Sequence, residues 1–326
     1  MKQTVIEKAK SFIYRNARPI DYARWNYHFE NGSVQNVVTV LKCYQNEDGG
    51  FGHALEADCW NPKSSPVQTW CATEILRELF LEHNEHDTYT YLKQTDLVKA
   101  ILQYLEKSIA MDGSGWSHTE ESNNLYPHAT WWEYPHSPWW SDTEEDRFCA
   151  TYNPTAALAG FILLYGDKDS NIYGDACKIA HHAISDFLNM KQLDDMHVIS
   201  CFYELLVYIK MTDVSEKFKA EELEEKLKNL VQTSITKDKE QWKTGYVCKP
   251  SQYIQSRESI FFEDNKEIAN YECEFIENMQ LEDGSWDVTW AWNAYPEEWA
   301  ISKNWWKSDI IIKNCLYLQN IGGQEK

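Results

Sequence analysis

The chain has 326 residues, 43% of them hydrophobic, and a net charge of −20. That is enough apolar material for a large core. It is too acidic to hold the phosphate backbone of a nucleic acid or an anionic membrane face, both of which need clustered Lys and Arg.

Helical periodicity dominates from the first residues. Met1-Lys2-Gln3-Thr4-Val5-Ile6-Glu7-Lys8 is a charged amphipathic start without the apolar core of a signal peptide. Helices are predicted over 3–16, 20–30 and 34–44. In Pro66–Glu82, Val67, Trp70, Cys71, Ile75, Leu79 and Phe80 recur at three- and four-residue steps, one apolar stripe of a helix. Further helices are predicted over 95–109, 155–165 and 173–189. Met196–Lys210 repeats the stripe with Val198, Ile199, Phe202, Leu205, Leu206 and Ile209. The last four are predicted over 216–233, 251–262, 266–279 and 303–319. Period-two alternation is scarce, so no sheet is expected. No apolar run approaches the roughly 20 residues that cross a bilayer, so no membrane insertion is expected. Nine cysteines without paired spacing suit small core hydrophobes in a reduced, cytoplasmic protein.

The links between these helices repeat. Four carry a Gly beside an aromatic: Asp48-Gly49-Gly50-Phe51, Asp112-Gly113-Ser114-Gly115-Trp116, Gly245-Tyr246 and Asp283-Gly284-Ser285-Trp286. Each is followed by a Pro at a predicted helix start: Pro66, Pro154, Pro250 and Pro296. Pro suits the first helical position, and Ser65 and Asn153 before it suit the N-cap. Helix pairs joined by one kind of turn cannot bury their stripes alone and stack on their neighbours. About six pairs in this length suit a single closed α/α barrel over residues 1–326. An aromatic-rich loop insertion interrupts it at about 117–150.

Gln280-Leu281-Glu282-Asp283-Gly284-Ser285-Trp286, with Phe275-Ile276 upstream, resembles the QW motif of squalene and oxidosqualene cyclases. Gln45-Asn46-Glu47-Asp48-Gly49-Gly50-Phe51 resembles a second copy, and is also similar to the Gly-Gly-Phe turn of protein prenyltransferase β-subunits. The segment Gly50–Pro66 is similar to that of a bacterial prenyltransferase-like group. The resemblance implies an α/α toroid, in which the motif's Gln caps a neighbouring helix and its aromatic packs across the repeat. Catalytic residues do not carry over. The cyclases' Asp-any-Asp-Asp acid is missing, because Leu193-Asp194-Asp195-Met196 lacks the first Asp. The prenyltransferases' Asp-any-Cys zinc ligands fail because Asp58 and Cys59 are adjacent.

Chemistry is expected first in His53-Ala54-Leu55-Glu56-Ala57-Asp58-Cys59-Trp60. Glu56 and Asp58 can split into acid and base when burial raises one pKa, with His53 beside them and Trp60 against substrate. Local hydrogen bonding of the loop is the alternative reading. The insertion carries Trp131, Trp132, Trp139 and Trp140, candidates for a lid that binds substrate or for an extra mini-core. Arg15, Arg18, Arg24, Trp25 and His28 form a basic patch for an anionic group, or pair with the abundant carboxylates. Cys177 and His181 are spaced for a metal on one helix face, but two ligands do not make a site, and neither metal nor cofactor is expected.

The expected ligand is a small molecule. The first expectation is an enzyme acting on an isoprenoid or similar apolar substrate in an aromatic-lined cavity, since aromatic faces stabilise cations. A carbohydrate-active enzyme on the same scaffold is the second, and a non-catalytic ligand- or partner-binding barrel the third. Polar groups interleaved with Trp favour the second; a packed interior favours the third.

Overall fold

The computed structural model describes residues 3–82, 85–135 and 142–323. It is all-helical. No strand occurs among the described residues, only the isolated bridges Gln45–Phe51, Phe51–Ser65 and Cys59–His128. The α-helices are α1 (Gln3–Asn16), α2 (Pro19–Phe29), α3 (Val34–Leu41), α4 (Pro66–Glu82), α5 (Glu85–Gln94), α6 (Asp96–Ser108) and α7 (Glu144–Tyr152). They continue with α8 (Thr155–Tyr165), α9 (Asn171–Asn189), α10 (Met196–Lys210), α11 (Ala220–Ser234), α12 (Phe262–Met279) and α13 (Pro296–Asn320). The chain forms two compact units: Met1–Val40 with Val231–Lys326, and Leu41–Leu230.

In the contiguous unit, α8 is the centre. Every residue of TAALAGFILLY is buried, as expected of a helix apolar all round. It packs between α9 and α10, with α4 and α7 against it. Among the described residues, Glu144–Tyr165 is the stretch long and apolar enough to cross a membrane, but 83% of that window is buried inside the protein. It is a core element.

In the other unit, α1 packs on α2 and α13, and α13 also meets α2 and α12. Arg24 Nη1 donates to Asp309 at 2.8 Å and to Asp21 at 3.3 Å, a buried ion pair between α2 and α13.

The Gly-aromatic turn is built three times with one set of bonds. Gly49 N–H donates to Asn46 O, Gly113 to Ala110 O and Gly284 to Leu281 O, at 2.8–3.0 Å. Asp48, Asp112 and Asp283 each accept from the amide two residues on. Gln45 Nε2 spans its own turn and the carbonyl of Leu97 in α6, at 3.2 Å; Gln280 Nε2 does the same with Val5 in α1, at 2.9 Å. Three residues further along each of those helices, a Cβ on Gly49 would lie 2.1 Å from Ala100 O, and one on Gly284 2.1 Å from Lys8 O. Their φ values of 94° and 93° also require glycine. Trp116 and Trp286 are buried and donate from Nε1 to Leu105 O and Ile276 O of the preceding helices, at 3.0 and 2.8 Å.

Several expectations are corrected. Tyr246 is 53% exposed, and Trp242, four residues earlier, is the buried ring of that link, its Nε1 bonded to Thr236 O. Residues 251–262 are not a helix: a single 3-10 turn, Pro250–Gln252, precedes irregular chain up to α12. Pro154 stands before α8 rather than inside it, and Asn153 ends α7. The far end of the insertion is helical, because Thr143 and Asp146 form a capping box that starts α7. Pro66 and Pro296 do open α4 and α13.

Candidate functional site

After the first turn the chain enters a constrained loop. His53 and Ala54 both have φ of 59°, a left-handed conformation that costs a non-glycine residue about 1 kcal/mol or more and collects at functional sites. Hydrogen bonds fix the rest. Leu55 N–H donates to Gln68 Oε1 at 3.1 Å, and Gln68 Nε2 returns to Asn61 O at 2.9 Å, both wholly inside. Glu56 and Asp58 are buried; Glu56 Oε1 accepts from Asp58 N–H at 3.2 Å, and the Cys71 thiol of α4 approaches Glu56 Oε2 at 3.5 Å. His53 is exposed, its Nε2 2.9 Å from Asn46 Oδ1, so it is not gathered with the two carboxylates.

The first part of the insertion lies against this loop. Trp60 N–H donates to Pro127 O, and Ala129 N–H to Asp58 O, each at 2.9 Å. Asn61 Nδ2 reaches Ser122 Oγ and Asn123 Oδ1, at 2.7 and 2.9 Å. Trp60, Trp131 and Trp132 are half-buried. The Trp132 ring sits 5.3 Å from His118, and Asn123 Nδ2 holds its carbonyl at 3.0 Å. Trp139 and Trp140 lie outside the described residues.

Arg24, Trp25 and His28 are on α2, in the other unit, and buried. Arg24 is committed to Asp21 and Asp309, and Trp25 Nε1 to Glu30 Oε1 at 2.9 Å. The ion-pair reading of this patch fits Arg24. His181 is stacked on Phe218 at 4.5 Å. Among the described residues, no three His, Cys, Asp or Glu side chains converge as metal ligands.

Sequence reasoning missed a buried charged cluster of the contiguous unit. Trp70, Glu74 and Arg77 lie at steps of four and three on α4, one face; Glu204 and Tyr208 lie four apart on α10. Arg77 holds Glu74 with two bonds, Nε to Oε1 at 2.9 Å and Nη2 to Oε2 at 3.0 Å. Glu204, 2% exposed, accepts from Trp70 Nε1 at 3.0 Å and is hydrogen-bonded to Glu74. Burial, then the Glu74 charge, push Glu204 well above the usual carboxylate range, against the opposing pull of Arg77. Arg77 stays cationic: burial disfavours its charge, but Glu74 and Glu204 outweigh it. Burial and the neighbouring carboxyl thus favour the protonated form of Glu204, while Glu74 lies against Arg77. Glu74 is the more exposed of the pair, with 30% of its side chain accessible. One signal was legible: a lone Glu in the apolar run Met196–Lys210.

No protein-family model, curated protein or solved structure matches this chain.

Proposed function

We propose that the protein is an enzyme working by proton transfer at the Glu74–Glu204 pair, on an isoprenoid or another apolar, unsaturated substrate, within an α/α-toroid scaffold. The observation that carries this reading is Glu204, buried against Glu74 and the Trp70 indole and pushed well above the usual carboxylate range. A carboxylic acid kept protonated at neutral pH by its surroundings can act as a general acid. The proton shifts from Glu204 to Glu74, and from Glu74 to a substrate double bond. The electron pair of that bond takes the proton, and the cation formed faces the half-buried Trp70. Arg77 offsets the second negative charge left on the pair. A hydrogen-bonded pair fits this role better than glycoside hydrolysis, whose carboxyls stand roughly 5–9.5 Å apart. The cytoplasm is the proposed compartment; nine free cysteines support it.

A carbohydrate-active enzyme is the second reading. The polar Asn61, Glu56 and Asp58 beside Trp60 on the 53–61 loop, with Trp132 on the insertion that lies against it, favour it.

The test is a turnover screen with linear polyprenols and polyprenyl diphosphates against neutral oligosaccharides, on the unaltered protein, Glu74→Gln and Glu204→Gln. Product from a polyene, lost in both variants, supports the first reading. Full turnover in either variant removes the pair from the chemistry, and turnover of oligosaccharides alone moves the assignment to the second reading.

A further inference from the structure

A cleft of about 620 Å3 opens on the contiguous unit among α5, α6 and the C-terminal ends of α8 and α10. It shares no residue with the Glu74–Glu204 pair or the 53–61 loop. Its volume lies within the range of small-molecule sites, about 300–1,000 Å3. Leu102, Leu163, Met211 and the ring of Tyr165 make its apolar wall, and Tyr165 packs on Tyr89 with ring centroids 5.4 Å apart.

The rim carries Lys93, Lys99 and Lys168 with Asp167 and Asp213, a small positive excess in a chain of net charge −20. Lys168 is committed to Asp213 at 2.5 Å. Lys93 has a neutral partner: its Nζ lies 3.1 Å from the Tyr89 hydroxyl and 5.6 Å from the ring centre. Lys99 is loosely held, 3.5 Å from Asp96, with both side chains well exposed. Two ammonium groups are thus left for a ligand's charge.

Helix C-termini ordinarily repel anions. Here several of their carbonyls are already engaged. Gly166 N–H bonds Ile162 O at 2.8 Å, Met211 N–H bonds Val207 O at 3.2 Å, and the Tyr89 hydroxyl donates to Leu164 O at 3.1 Å. The Tyr165 hydroxyl, in contrast, is buried without a partner, although native proteins nearly always satisfy such groups.

We propose that this cleft binds an amphipathic monoanion, a carboxylate head held by Lys93 and Lys99 and a hydrocarbon tail laid over Leu102, Leu163 and Met211. A ligand oxygen, or a water carried in with it, supplies the partner of the Tyr165 hydroxyl.

Three probes with one tail and different heads test this by isothermal titration of the full chain: decanoate, decanol and decyltrimethylammonium. Decanoate is expected to bind one site about tenfold tighter than decanol, the gain of two exposed ion pairs. Lys93→Ala with Lys99→Ala removes that advantage, and Met211→Asp weakens decanoate and decanol together. Absence of decanoate binding, equal binding of the three probes, or decanoate binding that ignores the lysine substitutions would overturn the proposal.

Discussion

Replacing Glu204 with Gln separates a shared proton from a conventional ion pair. Gln has nearly the shape of the neutral acid. Its carbonyl oxygen can accept from Trp70 Nε1, as Glu204 Oε2 does at 3.0 Å, and its amide can donate to Glu74. At pH 5 the two proteins should differ by less than about 1.5 kcal/mol, the size of one altered hydrogen bond. The sign with pH is fixed by linkage. The native Glu204 carboxyl is raised above its unfolded value, so its contribution is fully present below that value and is lost as pH rises through the native one. The unfolded chain releases the proton while the native pair keeps it. The unaltered protein should therefore lose up to about 1.4 kcal/mol per pH unit relative to Glu204→Gln above pH 5. Urea unfolding at half-unit steps from pH 5 to 8, followed by tryptophan fluorescence, measures the difference. Parallel curves would mean that Glu204 is ionised in the native state, and the proton-donor reading would fall with it.

Three further outcomes follow from the packing. Gly49→Ala and Gly284→Ala place a methyl 2.1 Å from a helix carbonyl at positive φ, and each should cost about 3 kcal/mol or more. Gly113→Ala, at φ of 73° with open space around it, should cost about 1 kcal/mol; equal melting temperatures for Gly49→Ala and Gly113→Ala would contradict the close-approach argument. Lys226 Nζ donates to the carbonyls of Phe187, Leu188 and Met190 at the end of α9, so Lys226→Met should lower stability by about 1–3 kcal/mol, read from thermal unfolding. Asp309 is held down to about 2; burial opposes its charge, but Lys313 and Arg24 outweigh it, so its stabilisation is present above the unfolded value and lost as pH falls toward 2. An acid unfolding midpoint that Asp309→Asn leaves unchanged would show that the ion pair does not contribute.

Much of the helix pattern was readable because apolar stripes repeat at the helical period. Residues 3–16, 66–82, 155–165 and 196–210 begin and end where the stripes do. The stripe argument failed where another force set the structure. α5, Glu-His-Asp-Thr-Tyr-Thr-Tyr-Leu-Lys-Gln, has a polar sequence and owes its place to packing on α4 and α6. α7 starts on a cap rather than on a stripe. Residues 251–262 offer Ile254, Ile260, Phe261 and Phe262 at suggestive spacing, yet Ser251 is drawn to buried Glu272, which takes its amide and its hydroxyl at 2.7 and 2.6 Å. The loop carrying Glu56 and Asp58 was found from its composition. The Glu74–Glu204 pair was not, because it joins residues 130 positions apart, and the lone Glu204 in its apolar helix does not name its partner.

The division of the chain has a consequence for its synthesis. Residues 41–230 are contiguous and can complete their packing once they have emerged. The other unit is assembled from both ends: Gln280 holds Val5 across 275 positions, and Arg24 holds Asp309 across 285. α1 and α2 are made before the contiguous unit, yet their partner α13 is made after it. During elongation their apolar faces and the Arg24 side chain wait for groups that do not yet exist. A ribosome-stalled chain ending near residue 280 should hold a protease-resistant core of about 190 residues within a tail-sensitive whole, the size of the contiguous unit. Mutations that slow the last fifty residues would then prolong the exposure of the first thirty.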